Sequence, residues 1–245
     1  MSVALCLWSG PRNISTAMMR SFGARSDTVC WDEPFFAAYL ARTGLDHPGR
    51  AETLAACETD ADAVAERLLA PVGVPYHFQK HMAHHMVDGM PEGWMAGARH
   101  VLLIRHPARV IASYAKGRPD FTADDLGFAA LLRLRTRLDS LTGAAPLVVD
   151  SDDILADPAT ALRRICETGF GIPFDPAMLL WEAGSRSEDG PWAPWWYASV
   201  RASTGFAPPG DRHLPSVADP YAGIYRKSLA AYRALSDKAS GVTLD

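Results

Sequence analysis

The stretch VALCLWSGPRNIST, residues 3–16, joins an apolar, strand-like run to a Gly-Pro turn, an arginine and two hydroxyl residues. A helix is expected to follow from Thr16 to Gly23. A strand, a tight loop and a helix start bring free backbone N–H groups and the positive end of the helix dipole to one point, which is the geometry that binds phosphate-like anions. Arg12 adds a permanent charge with a forked set of donors. The segment therefore predicts an anion site.

This loop differs from the usual loop of nucleotide triphosphatases. That pattern, G-x-x-x-x-G-K-[ST], uses its lysine on the terminal phosphates and its hydroxyl on magnesium. Here Gly10 is followed five residues later by Ser15 and then Thr16, without the second glycine or the lysine. An arginine in the loop suits an anion that needs no metal clamp. The alternative, an ordinary helix with Ser15 as its N-cap, stays open at this point.

A second segment has the same organisation. His100–Ile104 is a continuous apolar run typical of a strand buried on both faces. It ends at Arg105, and a helical pattern follows over Ala108–Tyr114. Arg105 is expected at the carboxyl end of the strand, with Ser113 about two turns along the helix. The two side chains could hold a second phosphate beside the first loop.

Composition bounds the class of protein. The 245 residues suit one α/β domain, residues 1–245, better than two. A net charge of −4 gives no reason to expect nucleic acid or an anionic membrane surface as a partner. No apolar run approaches the length of a membrane span, and the start does not resemble a signal peptide. The cysteines form no Cys-x-x-Cys pair, so reduced thiols and a cytoplasmic location are expected. They are Cys6, Cys30, Cys57 and Cys166.

Strand-like runs alternate with amphipathic stretches along the chain. This alternation predicts a three-layer α/β sandwich, with a mainly parallel central sheet that binds ligands at the carboxyl ends of its strands. The segment 184–220, rich in Gly, Pro, Ser and Trp, is expected to be a lid or an irregular segment before a last helix near Ile224–Leu235. Thr122 and Asp125 resemble a capping box at the start of a helix over Phe121–Leu141. A further helix is predicted over Asp60–Ala70, and the strands over Val3–Trp8, Thr28–Trp31, Tyr76–Gln79, Val101–Ile104 and Leu147–Val149.

These motifs together resemble the sulfotransferases that use 3′-phosphoadenylyl sulfate. Residues 11–16 look like the family's Pro-Arg-Ser-Gly-Thr-Thr loop. Arg105 and Ser113 keep the spacing of the arginine and serine that hold the donor's 3′-phosphate in that family. Residues 147–158 match its strand, acidic pair and Asp-Pro helix start, and residues 170–174 its next turn. The resemblance covers roughly residues 1–180 and implies a P-loop-like, nucleotide-binding fold.

The resemblance implies two halves of a donor site. Arg12 and the backbone of the following loop would hold the 5′-phosphosulfate, and Arg105 with Ser113 the 3′-phosphate. Two loop residues depart from the family pattern: Ile14 stands where relatives usually have glycine, and Asn13 replaces a hydroxyl residue. The loop is still expected to bind an anion despite these two departures, but which donor it binds depends on them. The loop residues concerned are Asn13, Ile14, Ser15, Thr16 and Ala17.

Glu33 is the first candidate for a general base. It ends a strand-like run and precedes Pro34, which is expected to start a helix, so its carboxylate should lie near the sheet edge that carries Arg12. Some members of the resembling family use a glutamate at a similar point. Partial burial among aromatic neighbours could raise its pKa and make it a better base. The alternatives are that Glu33 caps its helix or pairs with an arginine.

The segment Gln79–His85 supplies the second group of candidates. The cytosolic branch of the family has Lys-x-His after the corresponding strand, whereas here Lys80 and His81 are adjacent. The resemblance implies Lys80 as a cation on the sulfuryl group and His81 as an alternative base or an acceptor contact. His81 and His85 would share a helix face and, with His84, suggest a metal. No H-E-x-x-H arrangement accompanies them, so no metal is expected.

Several readings stay open on sequence alone. The aromatic cluster near residue 195 could form an acceptor pocket, stack on adenine or simply pack. Arg226 and Lys227 could contact the 3′-phosphate or form a solvated helix face. A small-molecule acceptor is expected, and sugars, lipids and small alcohols all stay open as its class. Assembly into a homodimer also stays open. The rival functions are a metal-dependent kinase or nucleotide hydrolase and a non-catalytic module that binds phosphorylated metabolites. The cluster comprises Trp192, Trp195, Trp196 and Tyr197.

Overall fold

The computed structural model describes residues 2–208 and 213–236 and is built on a five-stranded sheet. Its strand order is β2-β3-β1-β4-β5, and all four neighbouring pairs are parallel. The sheet therefore extends from β1 to one side through β3 and to the other through β4, and such a reversal opens a crevice at the carboxyl ends of the strands. The strands are β1 Val3–Ser9, β2 Thr28–Asp32, β3 Tyr76–Met82, β4 Arg99–Ile104 and β5 Leu147–Asp150.

Helices cover both faces of the sheet, so the predicted α/β class is confirmed. On one face Phe22 stacks on Phe78 of β3, with ring centroids 4.2 Å apart. On the other face Trp94 stacks on Trp8 of β1 at 6.0 Å. The helices are α1 Ser15–Gly23, α2 Phe36–Thr43, α3 Arg50–Ala56, α4 Ala61–Leu68, α5 Pro107–Tyr114, α6 Phe128–Thr142, α7 Ser151–Ala156, α8 Pro158–Arg164, α9 Ala193–Trp196, α10 Ala198–Arg201 and α11 Ala222–Ser236.

The centre of the core is β1. Leu5, Leu7 and Trp8 are fully buried, as a strand covered on both faces requires. The neighbouring strands contribute further buried side chains, including Phe78 of β3 and Leu102 of β4. The continuous apolar runs of the sequence thus become the middle layer, and the polar residues that follow them lie at the carboxyl edge.

The start of α6 differs from its prediction. Thr122 and Asp125 do form the reciprocal capping-box hydrogen bonds, with Thr122 N donating to Asp125 Oδ2 at 2.8 Å and Asp125 N to Thr122 Oγ1 at 3.4 Å. These bonds close a turn, and the chain then passes through Gly127 at a φ of 74° before the helix begins at Phe128. The predicted start at Phe121 is therefore wrong, because the motif caps a turn.

Other helix boundaries also differ from the predicted ones. The helix expected from Pro34 begins at Phe36, and the predicted last helix lies within α11. The segment 184–220 contains α9 and α10, and its residues 209–212 lie outside the described part of the chain. Across the stretches that the structure describes, no helix combines the length and the hydropathy needed to cross a bilayer.

Candidate active site

The loop between β1 and α1 has an unusual backbone. Arg12 and Ile14 have φ angles of 63° and 58°, in the left-handed region that β-branched residues rarely occupy. Backbone strain of this kind typically costs about 1–3 kcal/mol and clusters at functional sites. Ile14 stands at the N-cap of α1 without a side-chain capping bond, so the alternative of an ordinary helix capped by Ser15 is not what the structure has. The first N–H groups of α1 are left for another acceptor, such as an anion.

The loop is held by bonds to β4 and to the first residue of α7. Asn13 Nδ2 donates to Leu103 O at 3.2 Å, and Ser151 Oγ donates to Asn13 O at 3.0 Å. Gly10 lies so close to the carbonyl of Leu126 that a Cβ there would clash with it. Asn13 therefore serves at least to brace the loop, which gives a physical reason for an amide at this position. Sequence reasoning missed Ser151, which no local motif distinguishes.

The two predicted anion-binding arginines meet at the edge of the sheet. Arg12 Nε donates to Ser113 Oγ at 2.9 Å, and Arg105 Nη1 donates to Arg12 O at 3.0 Å. Arg12, Arg105 and Ser113 all line one cleft with a volume of about 410 Å³. Burial lowers the pKa of both guanidiniums, yet arginine stays charged at neutral pH. The ion pairs found among residues 2–208 and 213–236 involve neither of them.

The loop residues line the same cleft. The first turn of α1 and the residues before it form its floor beside Arg12, and Glu33 and Lys80 lie in the same cavity. Of the catalytic and donor-binding residues that the sequence predicts, all except His81 line this cleft. The loop residues in the lining are Asn13, Ile14, Ser15, Thr16 and Ala17.

Lys80 is buried in a cluster of acceptors at the ends of β2 and β3. Its Nζ lies 2.8 Å from Asp32 Oδ1, 2.6 Å from Glu33 Oε1 and 2.6 Å from Tyr197 Oη. Since an ammonium group has three N–H donors, these contacts use all of them. The side chains of Lys80 and Asp32 are each 1% exposed and that of Glu33 is 11% exposed. Of the two carboxylates, only that of Glu33 lines the cleft.

Glu33 is positioned by an unusual turn. Its φ is 43°, and its N–H donates to Lys80 O at 2.8 Å, which continues the pairing of β2 with β3 by one residue. Burial raises the pKa of Glu33, and the charge of Asp32 adds to this, while Lys80 opposes it. Burial disfavours the charged form of Lys80, but the carboxylates of Asp32 and Glu33 outweigh it and raise its pKa. Glu33 is thus a carboxylate of increased basicity beside a permanent cation.

The segment after residue 184 closes the site from above. Tyr197 Oη donates to Asp32 Oδ2 at 2.6 Å, and Trp192 Nε1 donates to Tyr197 Oη at 3.1 Å. Asp189 of the same segment forms an ion pair with Arg20 of α1, with 2.6 Å between Oδ1 and Nη2. These contacts fix Trp192 and Tyr197 in the cleft wall. Trp192 and Tyr197 therefore both pack in the fold and line the pocket, two roles that the sequence left as alternatives.

His81 lies on the opposite face of the sheet from the cleft. Successive residues of a strand point to opposite faces, so Lys80 and His81 diverge. The His81 ring stacks on Trp8 with centroids 4.3 Å apart, and its Nε2 faces Gln79 Oε1 at 3.2 Å. It is 2% exposed, and burial lowers its pKa well below the usual value. His81 therefore contacts neither the cleft nor Glu33.

The expected histidine face does not form. His81 belongs to β3, whereas His84 and His85 lie in a 3₁₀ turn over Ala83–His85, so the expectation of a shared helix face is wrong. His84 and His85 line the cleft. In the described part of the chain no three His, Cys, Asp or Glu side chains are grouped to hold a metal.

The remaining candidates divide into residues that line the cleft and residues that do not. Trp196 lines the cleft together with His47, a residue that sequence reasoning missed and that the α2–α3 connection brings into place. Trp195 is 45% exposed and lies outside the cleft. Arg226 and Lys227 are exposed on α11 and do not line the cleft, which agrees with the solvated-face alternative.

A strand–loop–helix turn at the carboxyl edge of a parallel sheet defines a P-loop-like α/β protein, here with Arg12 in the loop and without the usual second glycine and lysine. Comparison with known families identifies the kind: the sulfotransferase-domain family model matches residues 3–239. The chain belongs to the sulfotransferase family and is by family a transferase of sulfur-containing groups. Sulfotransferases generally take their sulfuryl group from 3′-phosphoadenylyl sulfate and act on small-molecule acceptors.

Solved structures agree on the fold. The sulfotransferase domain from the Synechococcus PCC 7002 olefin synthase superposes with a TM-score of 0.58 at 18% identity, over 95% of this chain and 96% of that one. A sulfotransferase from Alicyclobacillus acidocaldarius gives a TM-score of 0.53 at 12% identity, over 96% of each chain. The sequence-based expectation of a P-loop-like sulfotransferase fold is confirmed.

Two Arabidopsis thaliana proteins are closer in sequence. The branched-chain-amino-acid aminotransferase-like proteins 2 and 1 are 38% and 39% identical over 203 residues, which is 82% of this chain. The chain spans only 36% of the length of each relative. Their names therefore describe much longer proteins and carry no information about the reaction of this region.

Proposed function

We propose that this sulfotransferase moves a sulfuryl group from 3′-phosphoadenylyl sulfate to a hydroxyl or amine of a small molecule. One observation carries the proposal: Arg12, Arg105 and Ser113 adjoin at one end of a single cleft that also contains the carboxylate of Glu33. A bisphosphorylated donor has two anionic groups, and the cleft offers two guanidiniums without carboxylate partners among the described residues.

The donor would lie across the two arginines. Arg12 and the backbone N–H groups of residues 13–17 would hold the 5′-phosphosulfate, where the strained loop leaves the first turn of α1 uncapped. Arg105 and Ser113 would hold the 3′-phosphate. Ile14 adopts the left-handed backbone region that glycine favours, so its backbone conformation is one that a glycine at this position would also adopt. The departure from the family pattern is therefore compatible with the same donor.

Glu33 would act as general base in an in-line displacement. The acceptor oxygen loses its proton to a Glu33 carboxylate oxygen and forms a bond to sulfur. The bond between sulfur and the bridging phosphate oxygen breaks, and adenosine 3′,5′-bisphosphate leaves with that electron pair. Arg12 and the N-terminus of α1 would stabilise the negative charge on the leaving phosphate, and one well-placed donor of this kind contributes about 3–4 kcal/mol to lowering the barrier.

Lys80 would support this reaction through its charge and through Glu33. Because its three N–H groups point to Asp32, Glu33 and Tyr197, a direct bond to the sulfuryl group would require one of these contacts to be exchanged. Direct contact of Lys80 with the donor thus stays a prediction. We do not assign His81 as a base, since it packs on the other face of the sheet.

Calorimetry with adenosine 3′,5′-bisphosphate tests the donor site. Arg105→Ala should weaken binding by about 1.5–3 kcal/mol, the range for hydrogen bonds to charged groups. Arg163→Ala, which removes an exposed arginine from α8, is the matched control and should leave the affinity unchanged. An unchanged affinity of Arg105→Ala would remove Arg105 from this role.

Transfer of ³⁵S from labelled 3′-phosphoadenylyl sulfate to a panel of alcohols, phenols, sugars and amines tests the reaction itself. Labelled product is expected without added metal. Magnesium-dependent binding of ATP in place of the bisphosphate would instead support the rival kinase or hydrolase. Tight bisphosphate binding without transfer to any acceptor would favour a binding module.

A further inference from the structure

Two separately bonded groups of charged side chains lie at the cleft, and their net charges are opposite. Arg12 and Arg105 with Ser113 form the first, which we call the donor end. In the second, which we call the Glu33 end, two carboxylates, Asp32 and Glu33, surround one ammonium group, Lys80, which gives a net charge of −1 when all three are ionised. All N–H donors of that ammonium are used within the cluster. A ligand group beside Glu33 therefore meets a cluster of net negative charge whose own ammonium group has no donor to spare.

The histidines near Glu33 do not change this balance. His85 Nε2 lies 4.0 Å from Glu33 Oε2, and burial lowers the pKa of His85 well below its usual value. Burial also lowers the pKa of His84 to about 4. Both imidazoles are consequently neutral at pH 7 and act as polar but uncharged wall groups.

Aromatic rings form much of the cleft wall, and those of Phe36 and Trp192 lie on the side of Glu33. Phe36 stacks on His85 with centroids 4.8 Å apart and meets Trp192 edge-on at 4.9 Å. Trp196 lies nearly parallel to Tyr114, with 6.3 Å between centroids and 9° between planes. All of these side chains line the cleft. Such walls favour flat apolar groups, because ring contacts add about 0.5–1.5 kcal/mol to the burial of area.

Three buried polar atoms of the histidines and tryptophans in this wall have no hydrogen-bond partner among the described residues. They are His84 Nδ1, His85 Nδ1 and Trp196 Nε1. The His85 residue is itself only 2% exposed, so a polar atom left unpaired there is costly unless a ligand or water reaches it. A neutral hydroxyl compound can donate to His85 Nδ1 or accept from Trp196 Nε1, whereas an anion gains little beside the carboxylate of Glu33.

We propose that the Glu33 end of the cleft is an acceptor subsite for an uncharged hydroxyl compound built on a flat ring, and that it rejects acceptors whose ring carries a carboxylate, phosphate or sulfate. This proposal rests on the proposed function, since it assigns the acceptor of that reaction. An anion about 8 Å from a net charge of −1 is opposed by a factor of about thirty in affinity at an effective dielectric constant of about 20.

Three probes of nearly equal size test it. Binding of 4-propylphenol, 3-(4-hydroxyphenyl)propionate and 4-propylcyclohexanol is measured by calorimetry at pH 8 with saturating adenosine 3′,5′-bisphosphate. The neutral phenol should bind at least about tenfold more tightly than the propionate, because only the latter adds a negative charge. The cyclohexanol, which is uncharged but not flat, should bind more weakly than the phenol by about threefold or more.

A variant then locates the discrimination. Glu33→Gln removes one negative charge with little change in volume, so the preference for the phenol over the propionate should fall by about fivefold or more. Glu66→Gln, on the exposed surface of α4, makes the same change of charge elsewhere and should leave the preference intact.

Equal or tighter binding of the propionate, an unchanged preference in Glu33→Gln, or no binding of the phenol would overturn the acceptor assignment. Titration of the bisphosphate alone, done first, keeps this outcome separate from failure of the donor proposal. If the nucleotide does not bind, the proposed function fails, and the three probes are compared in its absence to judge the subsite by itself.

Discussion

The two faces of β3 bury different kinds of polar side chain: β3 contributes a charged side chain to one face and uncharged side chains to the other. Lys80 points to one face, where it joins Asp32 and Glu33 in a charged cluster. Gln79 and His81 point to the other face, where they contact each other as uncharged groups. The three residues are consecutive and almost fully buried. Position along the strand therefore does not distinguish the functional residue from the structural one; the direction of the side chain does.

The uncharged face is a complete hydrogen-bond network. Trp8 Nε1 donates to His100 Nδ1 at 3.0 Å, which leaves the proton of His100 on Nε2, where it can bond to Met95 O at 2.8 Å. Gln79 Nε2 donates to Leu68 O at 2.6 Å. Burial lowers the pKa values of His81 and His100, so these rings are neutral at pH 7. A neutral, satisfied network avoids the penalty of buried charge.

The charged face pays that penalty at the cleft. Replacing a buried ion pair by apolar groups is often neutral or stabilising, so such a cluster is weak evidence of a gain in stability. One carboxylate of the cluster, that of Glu33, lines the cleft, and this supports a role of the cluster in the reaction. Three substitutions test this difference between the faces.

The largest effect is expected from Glu33→Gln on the charged face. The amide keeps the size of the side chain but cannot accept the proton of the acceptor, so turnover should fall by about 10²–10⁴-fold. Affinity for adenosine 3′,5′-bisphosphate should change little, because Glu33 does not contact the two arginines. Transfer of ³⁵S under single-turnover conditions measures the first quantity and calorimetry the second. Turnover within threefold of the unaltered protein would exclude Glu33 as the base.

Lys80→Met is expected to reduce the free energy of unfolding by about 3–5 kcal/mol. It leaves Asp32 and Glu33 buried without their cation, and breaking a buried pair from one side costs this much. Urea denaturation at pH 7 measures the loss. Adding Asp32→Asn removes one of the unpaired charges and should restore part of the stability. A loss below about 1 kcal/mol for the single variant would show that the cluster is not electrostatically coupled.

The smallest effect concerns His81 and the pH dependence of stability. Because the pKa of His81 is lowered in the folded state, the unfolded chain binds a proton below about pH 6.5 that the folded chain does not, and stability falls as the pH falls. His81→Gln should make the decrease between pH 6.5 and 5 shallower by up to about 1.4 kcal/mol per pH unit. Urea denaturation over this range measures the slope. Bisphosphate affinity should be unchanged at pH 7.5, and a marked loss would place His81 in the site.

Much of this architecture follows from local sequence patterns. Strand-like runs mark all five strands, and the most apolar of them become β1 and β4, which have neighbouring strands on both sides. Arg12, Arg105 and Ser113 follow two of these runs, and parallel strands bring their carboxyl ends to one edge. Their meeting in one cleft was therefore predictable from chain order alone.

Other features depend on contacts that no local pattern encodes. Tyr197 reaches Asp32 across 165 positions of sequence, and this contact is what completes the partners of Lys80. The prediction for His81 came from the resemblance of Lys80–His81 to the family's Lys-x-His motif. Because side chains alternate along a strand, Lys80 and His81 point to opposite faces of β3. The capping-box pattern at Thr122 specifies hydrogen bonds but does not decide whether a turn or a helix follows.

The central claim is that one bisphosphorylated nucleotide spans Arg12 and Arg105. A crystal structure with adenosine 3′,5′-bisphosphate tests it most directly. The account predicts the 5′-phosphate on Arg12 and the N–H groups of residues 13–17, with the 3′-phosphate on Arg105 and Ser113. A nucleotide bound outside the cleft, or inside it with no phosphate within hydrogen-bond distance of Arg105, would contradict the account.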